Sequence, residues 1–208
     1  MSTNTTSVWR KKLKELEIVV VIPTYNNGKT LAAVIEEVCR YADDIIVVND
    51  GSTDDTTNIL EQYPAIRTIT HPVNKGKGTA LKHGLSQAKK EGFRYAITID
   101  SDGQHFASDI PCFIEAIEKE PDTLLVGARN LASDNMPGKN TFANKFSNFW
   151  FRLETGLKLE DTQSGYRLYP LRKMDVQSCW YTAKYEFELE AIVFAAWGDV
   201  VVKNIPIH

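Results

Sequence analysis

Apolar residues in this chain follow two rhythms, short unbroken runs and helical spacings, and the two alternate along its length. "IVVVI" (Ile18–Ile22) is apolar at every position, as a parallel strand covered on both faces must be. Behind it Leu31, Val34, Ile35, Val38 and Ala42 recur at helical spacing and predict a helix with one buried face. "DIIVVN" (Asp44–Asn49) reads as the second strand, and Thr53 as the cap of a helix carrying Ile59 and Leu60. "AIRTIT" (Ala65–Thr70) reads as the third strand, and Ala80, Leu81, Leu85 and Ala88 line the next helix. "YAITID" (Tyr95–Asp100) is the fourth strand. Ser108 then opens a helix with Pro111 in its first turn, where the missing N–H costs little. "TLLVGAR" (Thr123–Arg129) is the fifth strand.

The second half is less regular. It holds an aromatic helix around Phe142, Phe146, Phe149, Trp150 and Leu153, a loop and strand in "DTQSGYRLY", a helix in "YEFELEAIVFAAWG" and a last strand in "VVVKNI". The alternation predicts an α/β domain, a mostly parallel central sheet with helices on both faces. No repeat and no Gly- or Pro-rich linker divides it, so residues 17–208 read as one domain after a polar and basic leader at 1–16. Because the chain stops just after a strand, it reads as cut short at its C-terminus.

In an open parallel sheet, ligands collect at the carboxyl ends of the strands. Strand one is followed by "PTYNNGKT", strand two by "NDGSTDD", strand four by "DSDGQH", and strand five ends in "ARN". Four polar clusters should therefore converge on one cleft.

The sharpest of these is "YAITIDSDGQH" (Tyr95–His105), an apolar strand that ends on two aspartates. A haloacid-dehalogenase phosphatase carries its DxD after the first strand, with Thr or Val two residues beyond the second Asp; here the motif follows the fourth strand and that position is Gln104. An EF-hand needs Gly at position six and Glu at twelve, and from Asp100 these positions are His105 and Pro111. Acids that only solubilise a turn explain one Asp better than a pair at the end of a buried strand. Asp100, Asp102 and Gln104 at alternate positions suit a hard divalent ion, Mg²⁺ or Mn²⁺, that also takes diphosphate oxygens.

"NKGKGTALKHG" (Asn74–Gly84) lacks the spacing of a P-loop or a dinucleotide fingerprint. Before a helix in this sheet it makes Lys77 a candidate phosphate or sugar contact, against the alternative of a solvated lysine. Composition narrows the partners. With 43% apolar and 25% charged residues and a formal charge of −3, the chain is ordinary for a globular protein and unsuited to bind nucleic acid by bulk electrostatics. Cys39, Cys112 and Cys179 lack metal or disulfide spacing and fit a reducing cytoplasm. No run approaches the roughly 18 apolar residues of a membrane span. "VWRKKLK" reads as solvated, with Trp9 and its lysines offering a peripheral contact to an anionic membrane as the alternative.

Taken together, "VIPTYNN", "IIVVNDGSTDDT", "NKGKGTALKHG", "TIDSDGQH", "LLVGAR" and "DTQSGYRLY" resemble, in order and spacing, the family 2 glycosyltransferases of the GT-A fold, and most of all the polyprenyl- or dolichyl-phosphate hexose synthases. The resemblance runs from about Ile18 to Ile207. It implies that Pro23, Thr24, Tyr25 and Asn27 hold the nucleoside, that Val48, Asn49 and Asp50 read the base edge, and that Asp100, Ser101 and Asp102 meet ribose, diphosphate and metal, with Gln104 completing the metal set. Asn49 and Asn27 stand where many members have Asp and Glu, which leaves UDP and GDP both open.

The resemblance also implies an inverting displacement at the anomeric carbon. A hydroxyl acceptor needs a general base, for which Asp161 is the candidate, with a loop acid capping the next turn as its alternative; a lipid phosphate needs cationic positioning, which Arg129, Arg167 and Lys139 can supply. Glu186, Glu188 and Glu190 alternate and cannot share a helix face, and Glu188 is the one expected to face the acceptor cleft. The aromatics from Phe142 to Leu153 read as core, or else as a lipid-facing patch. The expected protein is a metal-dependent enzyme at the inner face of the cell membrane, moving a hexose from a nucleotide-sugar to a polyprenyl phosphate. A transferase acting on glycan hydroxyls and a non-catalytic nucleotide-sugar-binding module are the alternatives.

Overall fold

The computed structural model describes residues 3–129, 164–174 and 186–208. Lys139, Asp161, Cys179 and the Phe142–Leu153 aromatics lie outside the described residues, as do the side chains of Arg129 and Glu186. In chain order the elements are α1 (Thr3–Glu15), β1 (Ile18–Thr24), α2 (Leu31–Cys39), β2 (Ile45–Asn49), α3 (Thr56–Glu61), β3 (Arg67–Thr70) and α4 (Lys77–Lys90). They continue as β4 (Tyr95–Thr98), α5 (Ile110–Lys119), β5 (Leu124–Arg129), β6 (Arg167–Pro170), α6 (Glu186–Trp197) and β7 (Val202–Ile207).

The strands form one sheet in the order β3-β2-β1-β4-β6-β5-β7. All neighbours run parallel except β6, which is antiparallel to both β4 and β5. Alternation along the strands sorts the core into two layers. Ile18, Val20 and Ile22 of β1 pack with α2 and α5 on one face, while Val19 and Val21 pack with α4 and α6 on the other. The expected sheet with helices on both faces is what forms. Chain order reverses between β1 and β4, and at such a switch point the loops leaving neighbouring strands diverge and open a crevice.

Local details differ from expectation. Thr53 does not cap α3: the helix starts at Thr56, whose N–H donates to Asp54 Oδ1 at 3.1 Å, while Asp54 Oδ2 accepts the N–H of Gly28 at 2.9 Å. The Thr56 side chain first, with the Gly28 and Thr56 N–H groups, outweighs a small desolvation and holds the Asp54 carboxyl below its ordinary value. The first segment also departs from the solvated leader expected of residues 1–16. From Thr3 it is a helix that buries Leu13, 2% exposed, in the same core layer as α2 and α5, with Trp9 and Leu16 packed against it. Lys12 pairs with Glu118 of α5 at 2.5 Å. The basic residues interleave with the short apolar stripe, Lys12 lying over the Trp9 ring and Arg10 reaching the Cys39 carbonyl of α2, and so mask it in the sequence.

Leu13→Ala is expected to cost about 2–3 kcal/mol, as for other buried leucines. Urea unfolding measures it; a cost under about 0.5 kcal/mol, the range of exposed positions, would mean that α1 does not dock as described.

Candidate active site

The crevice at the switch point is a cleft of about 590 Å³. Pro23, Thr24, Tyr25 and Asn27 line it from the end of β1, Asp50 from β2, Asn74, Gly76, Lys77 and Ala80 from the start of α4, and Asp100, Ser101 and Asp102 from β4. Side chains stitch these loops together. Asn27 Nδ2 donates to Ser101 Oγ at 2.7 Å, and Thr30 Oγ1 donates to the Ser101 carbonyl at 2.6 Å. Asn26, in the left-handed region at φ 53°, accepts the Thr53 N–H on its side-chain oxygen at 2.8 Å. Tyr25 is 44% exposed at the rim, free to offer a ring face to a planar group.

At the floor lies a chain of charge. Lys77 Nζ is 2.8 Å from both carboxylate oxygens of Asp100 and 2.9 Å from Glu188 Oε1 of α6. The Asp100 contact is a directed hydrogen bond; the Glu188 contact is an ion pair at a poorer angle, leaving Oε1 without a well-aligned donor among the described residues. Burial alone would depress the Lys77 ammonium, but Asp100 and then Glu188 outweigh it and hold the group above the ordinary lysine value. Lys77 is therefore not a solvated lysine. Glu188, 6% exposed, reaches Lys77 at the cleft floor.

Gly165 closes against this triad. A Cβ there would lie 2.6 Å from Asp100 Oδ2, 2.8 Å from Glu188 Oε1 and 2.9 Å from Lys77 Nζ, closer than nonbonded atoms tolerate. It lies within "DTQSGYRLY", but nothing local explains a glycine there, since its need for hydrogen comes from residues distant in the chain.

Several expected contacts are corrected. The Val48 side chain is fully buried in the layer beneath α4 and cannot touch a ligand. Asn49 is equally buried and shapes the turn after β2, accepting from the Ser52 N–H at 3.0 Å and donating to Thr57 Oγ1 at 3.3 Å. Arg167 is wholly buried; its Nε donates to the Ser164 carbonyl at 2.7 Å and its Nη1 to the Glu188 carbonyl. Its guanidinium is turned inwards onto these carbonyls and is not exposed at the cleft surface. Gln104 is exposed and absent from the cleft lining, its N–H donating to Asp102 Oδ1 at 2.9 Å. Asp50 does border the cleft, yet its carboxylate faces inward onto His71, Lys75 and Gly76.

The remaining donor set fits a divalent cation. Asp100 and Asp102 are hard carboxylates on one loop at the cleft, and Mg²⁺ is commonly held by one or two carboxylates together with substrate phosphates. What the arrangement offers chemically is a nucleotide-sized groove lined by two carboxylates, one of them paired with a buried lysine.

Comparison with known proteins agrees with this geometry. The family model described as glycosyl transferase family 2 matches residues 19–176, and the chain belongs to that family. It is thus a glycosyltransferase. Its relatives include the UDP-N-acetylglucosamine–dolichyl-phosphate N-acetylglucosaminyltransferase of Methanococcus voltae, 31% identical over 91% of this chain and 84% of that protein. The polyprenol monophosphomannose synthase of Mycolicibacterium smegmatis is 27% identical over 90% of this chain and 75% of its own. Among solved structures, glucosyl-3-phosphoglycerate synthase from Mycobacterium tuberculosis, in complex with Mn²⁺, UDP-glucose and phosphoglyceric acid, superposes with a TM-score of 0.73 at 21% identity, covering 100% of this chain and 75% of that one. The two share the GT-A fold.

Gly165→Ala is expected to leave the fold cooperative but to slow sugar transfer by about tenfold or more, because displacements near 1 Å at a reacting site carry losses of that order. Steady-state rates beside a thermal melt test this, and wild-type turnover in the variant would show that the triad's spacing is immaterial.

Proposed function

We propose that this protein is a metal-dependent, inverting hexosyltransferase that moves a sugar from a UDP- or GDP-sugar onto a polyprenyl phosphate at the cytoplasmic face of the membrane. The observation that carries the proposal is the cleft itself, where Lys77 pairs with Asp100 and Asp102 lines the same wall beside the residues that follow β1 and β2. Asp100 and Asp102 would hold Mg²⁺ or Mn²⁺, which when bound supplies charge stabilisation for the departing diphosphate.

The chain's own groups take the other parts. Pro23, Thr24, Tyr25 and Asn27 form the wall for the nucleoside, with the Tyr25 ring for the base. The Thr24 hydroxyl has no hydrogen-bond partner among the described residues. Ser101, held by Asn27, fixes the loop between the two acids. Lys77 brings a cation to the leaving group, and Glu188 keeps that cation at the cleft floor. A phosphate acceptor is already anionic and needs no general base, which suits a floor whose acids are engaged with Lys77. Arg129, at the end of β5, is proposed as the cation that receives the acceptor phosphate. The relatives named as a dolichyl-phosphate N-acetylglucosaminyltransferase and a polyprenol monophosphomannose synthase support the lipid acceptor. Among the described residues no helix is long and apolar enough to cross a membrane, so a membrane contact would be peripheral or made elsewhere.

Stabilisation by UDP or GDP should require Mn²⁺ or Mg²⁺ in a thermal-shift panel, followed by transfer of labelled sugar to polyprenyl phosphate. Asp102→Ala should abolish the metal requirement and lower turnover by about a hundredfold. Unchanged turnover would remove Asp102 from the metal site. Transfer only to glycan hydroxyls would replace the acceptor, and nucleotide binding without transfer to either class would replace the enzymatic role.

A further inference from the structure

Outside the metal loop, one chain of titratable groups is not used by the reaction as described. Asp50, 2% exposed at the end of β2, accepts three hydrogen bonds: from His71 Nδ1 at 2.6 Å and the Lys75 N–H at 2.9 Å on Oδ1, and from the Gly76 N–H at 2.7 Å on Oδ2. His71, itself 4% exposed, has its other ring nitrogen 2.7 Å from His83 Nδ1 on α4. The two imidazoles meet edge to face, with centroids 4.7 Å apart. A carboxylate only accepts, so His71 Nδ1 carries a proton; with one proton on that ring, Nε2 accepts from His83 Nδ1–H. Burial first, then the neighbouring His71 ring and the Lys75 ammonium, lowers the proton affinity of His83, in keeping with a ring that donates from its neutral form.

The position of this chain gives it meaning. Lys75 and Gly76 are the last residues before α4, and Lys77 is its first. Gly76 is at φ 94°, a conformation that leaves the backbone N–H aimed at Asp50 and launches the helix towards Asp100. The segment is also pinned from behind, because Gly51, at φ 70°, would place a Cβ 2.4 Å from the carbonyl carbon of Val73. Removing the His71 proton donor leaves a buried carboxylate with two backbone donors in place of three, and buried carboxylates relax towards whatever donors or water they can reach.

We infer that His71 is a positioning residue for the donor site: through Asp50 it sets the Lys75–Gly76 backbone and hence the reach of Lys77 into the cleft, with His83 holding the His71 ring in register. This rests on the reading of the cleft as the nucleotide-sugar site. The proposal separates the two nitrogens of the ring, because only the proton facing Asp50 is required.

The test is a set of three variants of the full chain, His71→Ala, His71→Asn and His71→Gln, titrated calorimetrically with UDP and GDP in the presence of Mn²⁺. Asn places an amide N–H where His Nδ1 stood, whereas Gln extends past it. His71→Ala should bind the nucleotide about tenfold more weakly, the effect of one charge-assisted hydrogen bond. His71→Asn should recover to within about threefold of wild type and His71→Gln should not, with the nucleotide-free melting temperatures of these two alike. If His71→Ala does not fold, the Asn and Gln pair carries the comparison alone. Equal affinities in Asn and Gln, or wild-type affinity in Ala, overturn the positioning role while leaving the donor site intact. A wild-type protein that binds neither nucleotide overturns the donor-site reading and this role together.

Discussion

An ammonium group that cannot remain buried alone organises this molecule. Lys77 lies where the start of α4, the end of β4 and α6 come together, and its charge is tolerable there only because Asp100 and Glu188 approach it from two elements. The three groups need one another, since each would be an uncompensated charge without the rest. Their closeness excludes any side chain at residue 165 and brings β6 directly beneath the cleft. Arg167, the next charge along, is turned inwards and lies on the backbone carbonyls of Ser164 and Glu188. One cation faces the cleft and the other braces the segment that carries its counter-charge.

Around this floor the strand-end loops form one hydrogen-bonded rim. Asn26 and Gly28 reach the β2 loop, Asn27 and Thr30 reach the β4 loop, and Asp50 reaches the segment after β3. The short polar side chains that make these links satisfy backbone groups that no strand or helix pairs. Their abundance in the strand-end motifs therefore has two causes, ligand chemistry and the wiring of the rim. The same residue type serves either purpose, as Asn27 beside the cleft and Asn49 beneath it show.

How much of this was legible in the sequence follows from the range of the interactions. Unbroken apolar runs locate buried strands because their signal is local, and "IVVVI" and "IIVV" lie where expected in β1 and β2. The expectation that the clusters after β1, β2 and β4 converge also holds, because parallel sheets point those ends one way. Side-chain direction is another matter. Val48 and Asn49 sit in a motif associated with nucleotide binding, yet burial turns both away from the cleft. Arg167 shows that charge in a motif does not say whether it meets a ligand or the protein's own carbonyls. His71 and Gly165 were missed because their partners, Asp50 in one case and Lys77, Asp100 and Glu188 in the other, are neighbours only in three dimensions. α1 was misread because four basic residues among thirteen mask a short apolar stripe.

The reversed strand β6 has a wider consequence. Parallel strands deliver residues to the cleft as they leave the sheet, but β6 delivers Ser164 and Gly165 as the chain enters it. The Lys77 floor is consequently met by departures from one direction and an arrival from the other. Substitutions in the loops that leave β1, β2 and β4 and substitutions at Gly165 therefore reach the Lys77 floor from separate stretches of chain, so that one side of it can change without the other.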